Sequence, residues 1–443
     1  MREEVVVNLK NAITQSLRAF NSSPIKFIES HFQSDKVVEW RRVPNGWQSF
    51  YVNRPNNYYL FSKHQKLLDD LGVEFTQIVR KNHREYENLV GFQSLNIAIN
   101  ILHNSSMIVK SILCELWDRY NTFNVNDEQI NIIIQEFADF VDNPKVRFRY
   151  TAILLNFRMD KEQIFLTDDI IIRQLSEKEV SDIYKDSPSQ YVPGVNRVSH
   201  IHEFVIEGEF EEVKRFDDSD LETTKNVAIE NLNNAVLALN TFQGGSVGYE
   251  CITFKTVKFS PIMPITRMYG GLHIPVGNYY LLECDVERFQ NHAKLIFSKL
   301  DEPLERAFTK LADAELRIHS KDRLLDAVAG LEAILLASMG KETEIKFRFS
   351  LNYSTLFDNP ENRLKEYQVA KHLYDIRSTI AHGGIPKDPC KIGEEKLSLN
   401  KAAQKACGIL RYVIHYFLNQ SKSSLYKDPK FWENGYFGIE PRF

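Results

Sequence analysis

The spacing of apolar residues changes along this chain, and that change limits the possible architecture more than any other feature. Between residues 88 and 141 the spacing is helical, with segments at 88–119 and 127–141. Between about 146 and 286 the residues favour strands, and from Glu287 onward every periodic segment is helical. We therefore predict an α+β fold, with an N-terminal mixed α/β region followed by an all-α C-terminal helical bundle.

The same segments give the predicted domain boundaries. At 443 residues the chain is too long for one ordinary core. We expect a largely helical region at 1–143, an α+β region at 144–286 that acts as a sensor, a helical domain at 287–420 and a tail at 421–443. The tail is rich in aromatic residues, so we expect it to dock and not to extend freely.

The individual elements follow from local patterns. In the middle region we predict a helix at 221–242, a short capped helix after Ser176, and strands at 146–157, 164–175, 200–210, 249–259 and 279–286. In the C-terminal region we predict helices at about 287–317, 320–339, 345–357, 361–382 and 398–419.

Composition excludes several classes of protein. The formal net charge is −4, so nucleic-acid binding would have to come from a local basic patch. The five cysteines lie far apart without a CxxC pair, which excludes the common zinc arrangements and favours a reducing compartment. The sequence has neither a signal-peptide pattern at its start nor a stretch of about 20 apolar residues. We therefore expect a cytoplasmic protein without a membrane partner.

One possible metal pair is weak. His200 and His202 share a face of a predicted strand, but no third ligand at suitable spacing accompanies them. We predict neither a metal nor a cofactor.

The segment YDIRSTIAHGG, residues 374–384, carries the strongest indication of chemistry. Arg377 and His382 lie five positions apart in a helical pattern, and the glycines that follow predict that the helix ends near His382. The unpaired carbonyls of a helix C-terminus favour a protonated imidazole by about 0.3–1 kcal/mol, or up to ~2 kcal/mol when partly buried. A histidine so placed suits general acid catalysis near neutral pH.

Helical geometry limits how these two residues can act together. Five residues of helix advance the chain by about 7.5 Å and turn it by about 140°, so Arg377 and His382 do not share a face. Either the helix loosens at its end, or a second copy completes the site. We favour a two-fold pairing of helix ends around one phosphate, which a planar guanidinium can hold through two oxygens. Ribose supplies the 2′-hydroxyl as nucleophile, so such a site can cut RNA without a metal.

Three segments resemble a known family: RLLDAVAGLEAILL at 323–336, EIKFRFSLNY at 344–353 and AKHLYDIRSTIAHGG at 370–384. RSTIAH fits the R-x4-6-H signature of HEPN domains (higher eukaryotes and prokaryotes nucleotide-binding). Together the segments resemble the ApeA-like HEPN branch of bacterial anti-phage proteins. The resemblance covers about 290–420, less than a third of the chain.

The resemblance implies a homodimeric, metal-independent endoribonuclease that leaves 2′,3′-cyclic phosphate and 5′-hydroxyl ends. Arg377 would bind and polarise the scissile phosphate, and His382 would act as acid or base. The implied role is a toxic effector of abortive infection that cuts RNA, possible substrates including tRNA, under control of the N-terminal region and a phage-derived trigger. Many active members carry Asn, Asp or His where this chain has Ser378, whose hydroxyl can bind phosphate or ribose but has no charge.

Other residues could support the site. Glu332 lies on an apolar helix face, where it needs a cation, either Arg377 or another base, and the pair could tune the site or be purely structural. Lys346 and Arg348 could contact RNA backbone or form a solvated face. The alternative for the whole domain is a non-catalytic HEPN module that binds a protein or a nucleotide.

Overall fold

The computed structural model describes most of the chain. Its residues are 3–21, 36–43, 46–53, 64–82, 106–120, 122–184, 202–213, 221–259, 265–268, 279–298, 300–338, 344–418 and 424–438. The chain divides into two compact units. The first consists of Met1–Ile153, Arg173–Glu230 and Cys251–Tyr269, and the second of Leu154–Ile172, Asn231–Glu250 and Gly270–Phe443. The helical C-terminal third belongs entirely to the second unit.

The first unit begins with helices and a hairpin. In chain order these are α1 (Glu3–Asn21), β1 (Lys36–Val43), β2 (Gly46–Asn53), α2 (Gln65–Asn82), α3 (Ser106–Tyr120) and α4 (Asp127–Asp142). The four helices share one apolar core, in which Leu9, Ile13, Leu68, Leu113 and Ile133 are wholly buried. Each such side chain contributes about 1.5–3 kcal/mol through its removal from water.

Strands dominate the middle of the chain. The elements are β3 (Lys145–Leu155), β4 (Phe157–Met159), β5 (Gln163–Phe165), β6 (Ile170–Gln174), α5 (Glu177–Tyr184), β7 (Phe204–Val213), α6 (Leu221–Phe242), β8 (Gly248–Thr256), β9 (Ile265–Met268) and β10 (Tyr279–Leu281). Six strands form one sheet in the order β5-β6-β7-β3-β8-β9, and β4 pairs with β10 in parallel.

The two faces of β3 differ in the way that its alternating sequence requires. Val146 and Phe148 are buried, whereas Arg147 and Arg149 are exposed. On the exposed face Glu209 of the antiparallel strand β7 forms ion pairs with both guanidinium groups. Its carboxylate oxygens lie 2.8 Å from Arg147 Nε and 2.6 Å from Arg149 Nη2. These arginines are therefore paired within the sheet.

After Asp285 the second unit is helical except for one short hairpin. Its elements from there on are α7 (Val286–Phe297), α8 (Glu302–Leu316), α9 (Ser320–Leu335), α10 (Ile345–Ser354), α11 (Pro360–Ala381), β11 (Cys390–Ile392), β12 (Glu395–Leu397), α12 (Leu399–Leu418) and α13 (Pro429–Tyr436). The molecule is thus mixed α/β with helices in its C-terminal part, as predicted for the fold class at that level. No helix of the described ranges is both long enough and apolar enough to cross a membrane.

Close packing in the second unit centres on α9. An added Cβ at Gly330 would lie 2.5 Å from a methyl carbon of Leu410 in α12 and 3.1 Å from the Cβ of Lys310 in α8. The nearly buried carboxylate of Asp326 accepts from Lys310 Nζ and Arg317 Nε, each at 2.8 Å. A glycine and a neutralised acid therefore let α9 pack closely between its neighbours.

The aromatic tail docks, as its composition predicts. Trp432 of α13 is only 1% exposed, and its indole Nε1 donates to the backbone oxygen of Tyr426 at 2.9 Å. The Trp432 ring meets Phe417 of α12 edge-on, with ring centroids 5.9 Å apart.

Several predicted elements differ from the observed ones. The predicted helix at 287–317 is two helices, because Asp301 caps a new start by accepting from the Leu304 amide at 3.3 Å and Pro303 follows in the first turn. The predicted strand at 164–175 is two short strands, because the Thr167 hydroxyl accepts the Ile170 amide at 3.1 Å and forms a turn.

One predicted strand is shorter than expected, and some predicted residues lie outside the described ranges. The strand predicted at 279–286 ends at Leu281 and gives way to a 3-10 turn at Glu283–Asp285. Residues 88–105 of the helix predicted at 88–119 lie outside the described residues, as does His200 of the possible metal pair. In the described part of the chain no group of three or more His, Cys, Asp or Glu side chains could hold a metal ion.

Candidate functional site

The C-terminus of α11 positions the residues of the RSTIAHGG segment. The His382 amide donates to Ser378 O at 3.1 Å, the Gly383 amide to Ile380 O at 2.9 Å and the Gly384 amide to Thr379 O at 2.8 Å. This is a Schellman cap. Gly383 has a φ of 78°, and a Cβ on Gly384 would lie 2.9 Å from Thr379 O. The two glycines therefore end the helix at His382, as the sequence predicts.

Arg377 points to α9. Its Nη2 donates to Glu332 Oε2 at 3.0 Å, and its Cζ lies 5.7 Å from the centre of the Tyr374 ring. The Tyr374 ring in turn packs against Phe349 of α10, with centroids 5.3 Å apart. The sequence leaves open whether Arg377 or another base pairs with Glu332, and the structure selects Arg377. The pair leaves 30% of the Arg377 side chain and 19% of the Glu332 side chain exposed.

Burial governs the electrostatics of this pair. It raises the pKa of Glu332, and the charge and hydrogen bond of Arg377 oppose the rise. Burial likewise raises the pKa of Tyr374, with the Glu332 charge adding to it and Arg377 opposing it. Glu332 thus holds the guanidinium in place at an energetic cost to its own carboxylate.

His382 lies on another face of the same helix. Because its amide still bonds to Ser378 O, α11 remains regular up to its end. At 100° per residue the Arg377 and His382 positions are therefore about 140° apart. No hydrogen bond or ion pair within the described residues joins them. His382 is exposed at the helix end, whereas Arg377 is half-buried against α9.

The structure separates Lys346 from Arg348, the two basic residues of α10. Lys346 Nζ donates to Asp375 Oδ1 of α11, so Lys346 lies on the side of α11 away from Glu332. Arg348 lies within electrostatic reach of Tyr436 in α13. Burial raises the pKa of that phenol, and the Arg348 charge opposes the rise. Only Lys346 is therefore brought to the outer side of α11.

A hairpin that was not expected from the sequence lies beside α11. β11 and β12 pair antiparallel, and Gly393 occupies the first position of their two-residue turn with a φ of 61°. The Gly393 amide donates to His372 Nδ1 at 2.9 Å, and this bond fastens the hairpin to α11. Gly393 was a local signal for the turn, although the flanking strands are too short to be identified by alternation.

Comparisons with known proteins give no further guide. No protein-family model, curated protein or solved structure matches the chain.

Proposed function

We propose that the chain is a metal-independent endoribonuclease of the HEPN type. The observation that carries the proposal is the end of α11, where an exposed histidine at the C-cap follows an arginine held in place by a partly buried carboxylate. The guanidinium offers the geometry for holding a phosphate, and the imidazole at the helix terminus offers the proton. The RSTIAH signature and its flanking segments support the same assignment.

The chemistry would use the RNA's own 2′-hydroxyl. That oxygen gives its proton to water and attacks the adjacent phosphorus. The bond to the 5′-oxygen breaks as that oxygen takes a proton from His382, and the products carry a 2′,3′-cyclic phosphate and a 5′-hydroxyl. The helix presents Arg377 and His382 on different faces. We therefore propose a homodimer in which two α11 ends meet at one scissile phosphate.

In the cell this activity would serve as a cytoplasmic anti-phage effector. A ribonuclease without a cofactor requirement would be toxic if always active, so control by the N-terminal region and a phage-derived trigger is part of the proposal. Expression of wild type and His382→Ala, with and without phage infection, tests it. Growth arrest should depend on His382 and on infection.

The direct test is cleavage of tRNA by the purified full-length chain in EDTA. We expect Arg377→Ala and His382→Ala to abolish cleavage, and the end groups of the wild-type products to be 2′,3′-cyclic phosphate and 5′-hydroxyl. Arg306→Ala and His319→Ala are matched controls, because both side chains are exposed and lie away from α11, Arg306 on α8 and His319 at the cap before α9. Cleavage that persists unchanged in both α11 variants would refute the assignment.

One observation favours a second candidate, a non-catalytic HEPN module that binds a protein or a nucleotide. Arg377 already gives one of its guanidinium nitrogens to Glu332, which neutralises part of its charge. If the wild type binds RNA or a nucleotide but leaves tRNA uncut in every condition, the binding module is the better assignment.

A further inference from the structure

The outer face of α11 carries a row of polar residues that leads to His382. At 100° per residue, Lys371, Asp375, Ser378 and His382 fall within about 60° of one another. Lys371 and His382 are exposed, and the other two are half-exposed. We call these four residues the α11 strip. From Lys371 to His382 the strip is about 16 Å long at 1.5 Å per residue.

Two further lysines flank the α11 strip from different elements. Lys346 reaches Asp375 from α10, and Lys391 projects from the exposed position of β11. Lys346, Lys371 and Lys391 all lie within electrostatic reach of His372, where Asp375 supplies an opposing charge. In the described part of the chain neither Lys371 nor Lys391 forms an ion pair, so their charges are not neutralised by a protein partner. This contrasts with the arginines of β3, which are paired with Glu209.

The pKa of His372 is affected by the positive charge of this surface. Burial lowers its pKa, and the charges of Lys391, Lys371 and Lys346 lower it further against the opposing charge of Asp375. The hydrogen bond from the Gly393 amide requires a bare Nδ1, so the ring is neutral with its proton on Nε2. His372 thus adds an N–H donor to a surface that already carries three ammonium groups.

From this geometry we propose that the α11 strip, with Lys346, Lys391 and His372 beside it, binds the phosphate backbone of single-stranded RNA and leads it to His382. The inference rests on the proposed function and adds to it the path of the substrate. With two unpaired lysines and a third shared with Asp375, the strip neutralises about two or three phosphates. Binding should therefore depend on salt with a slope of about −1.4 to −2.1 in log Kobs against log salt, at 0.7 per phosphate of a single strand.

The test separates binding from cutting. Fluorescence anisotropy of a labelled 2′-O-methyl RNA, whose blocked 2′-oxygen prevents cleavage, measures Kd between 50 and 200 mM salt. Lys371→Gln and Lys391→Gln should each reduce the slope by about 0.7 and weaken binding about fourfold at 0.15 M salt. Lys321→Gln and Lys401→Gln are the controls, since both lysines are exposed elsewhere in the second unit. An unchanged slope in the two strip variants, or an equal change in the controls, would overturn the proposal.

A second measurement reports on the surface directly. The pKa of His372, followed by NMR, should rise when the 2′-O-methyl RNA saturates the protein, because bound phosphates offset the lysine charges. Anionic phosphatidylglycerol vesicles provide the contrasting ligand, and binding to them that depends equally on Lys371 and Lys391 would overturn the assignment to RNA. If RNA binding behaves as expected but tRNA stays uncut, the proposed activity fails and the strip remains. If tRNA is cut but the lysine variants bind RNA as tightly as the wild type, the strip proposal fails and the proposed activity remains.

Discussion

Replacing Arg377 with alanine leaves the Glu332 carboxylate without its cation on a largely apolar face of α9. The two groups lie 3.0 Å apart, and the Glu332 side chain retains 19% of its exposure. Exposed ion pairs contribute about 0–1 kcal/mol, whereas removal of one partner from a fully buried pair costs about 3–5 kcal/mol. Exposure here is intermediate, so we expect Arg377→Ala to reduce local stability by about 1–3 kcal/mol near pH 8.

Replacing Glu332 and keeping Arg377 should cost less stability. In Glu332→Gln the amide oxygen can still accept from Arg377, and no charge has to be buried. Arg377 is 30% exposed, so water can solvate its guanidinium in place of the carboxylate. We expect a loss below about 1 kcal/mol. The double variant should be more stable than Arg377→Ala alone, because a neutral amide tolerates the apolar surroundings better than a carboxylate.

The sign of the pH dependence follows from the raised pKa of Glu332. Above its ordinary value of 4.5 the native state holds a proton that the unfolded chain releases, so this group's contribution to stability falls as pH rises through the folded pKa. Without Arg377 the pKa of Glu332 rises further, so the pH range over which stability falls extends to higher pH. The cost of Arg377→Ala should therefore be small below about pH 4.5 and reach its full size near pH 8.

Hydrogen exchange of the amides in α9 and α11 is the suitable assay, because the two units of the chain need not unfold together. Wild type, both single variants and the double variant are compared at low and high pH. Equal loss at the two pH values, or a double variant no more stable than Arg377→Ala, would show that Arg377 does not compensate a buried carboxylate. The same data show whether a loss of cleavage in Arg377→Ala reflects chemistry or unfolding.

Further predictions concern packing and protonation in the second unit. Burial, with the neighbouring His415 adding to it, lowers the pKa of His292 to about 3, so stability should fall as pH drops from 6.5 towards 3. His292 Nε2 lies 2.9 Å from Thr241 Oγ1, so His292→Gln keeps a donor there but cannot be protonated. The melting temperature of this variant should therefore fall less steeply as the pH drops. A fall as steep as in the wild type would contradict this. Gly330→Ala should lower the free energy of unfolding by about 1–3 kcal/mol, because its Cβ would meet a leucine methyl at 2.5 Å. Gly408→Ala, where nothing lies within 4 Å, should raise it by about 0.5–1 kcal/mol, and similar melting shifts in the two variants would refute the packing argument.

Patterns that act over one or two helical turns were predictable from the sequence. The apolar spacing gave four of the C-terminal helices to within a few residues, and the paired glycines gave the end of α11. The break before α8 was missed because the apolar spacing of 287–317 continues across it. The cap that breaks the helix depends on one aspartate and one proline, Asp301 and Pro303.

Contacts between distant positions were only partly predictable. A carboxylate on the apolar face of α9 required a cation, but the sequence could not choose between Arg377 and another base 45 or more residues away. The His372–Gly393 bond was missed for a different reason. Strands of three residues are too short for alternation to identify, so the hairpin that supplies the donor was not expected.

The regular end of α11 decides a question that the sequence left open. A loosened last turn could have brought Arg377 and His382 of one chain together, but the His382 amide keeps its bond to Ser378 O. Arg377 is also fastened to α9 through Glu332, so it cannot turn towards the outer face without breaking that pair. In the proposed mechanism, in which both residues act on one phosphate, the second basic group comes from another copy of the chain. The proposed nuclease activity and the proposed pairing of α11 ends thus stand or fall together.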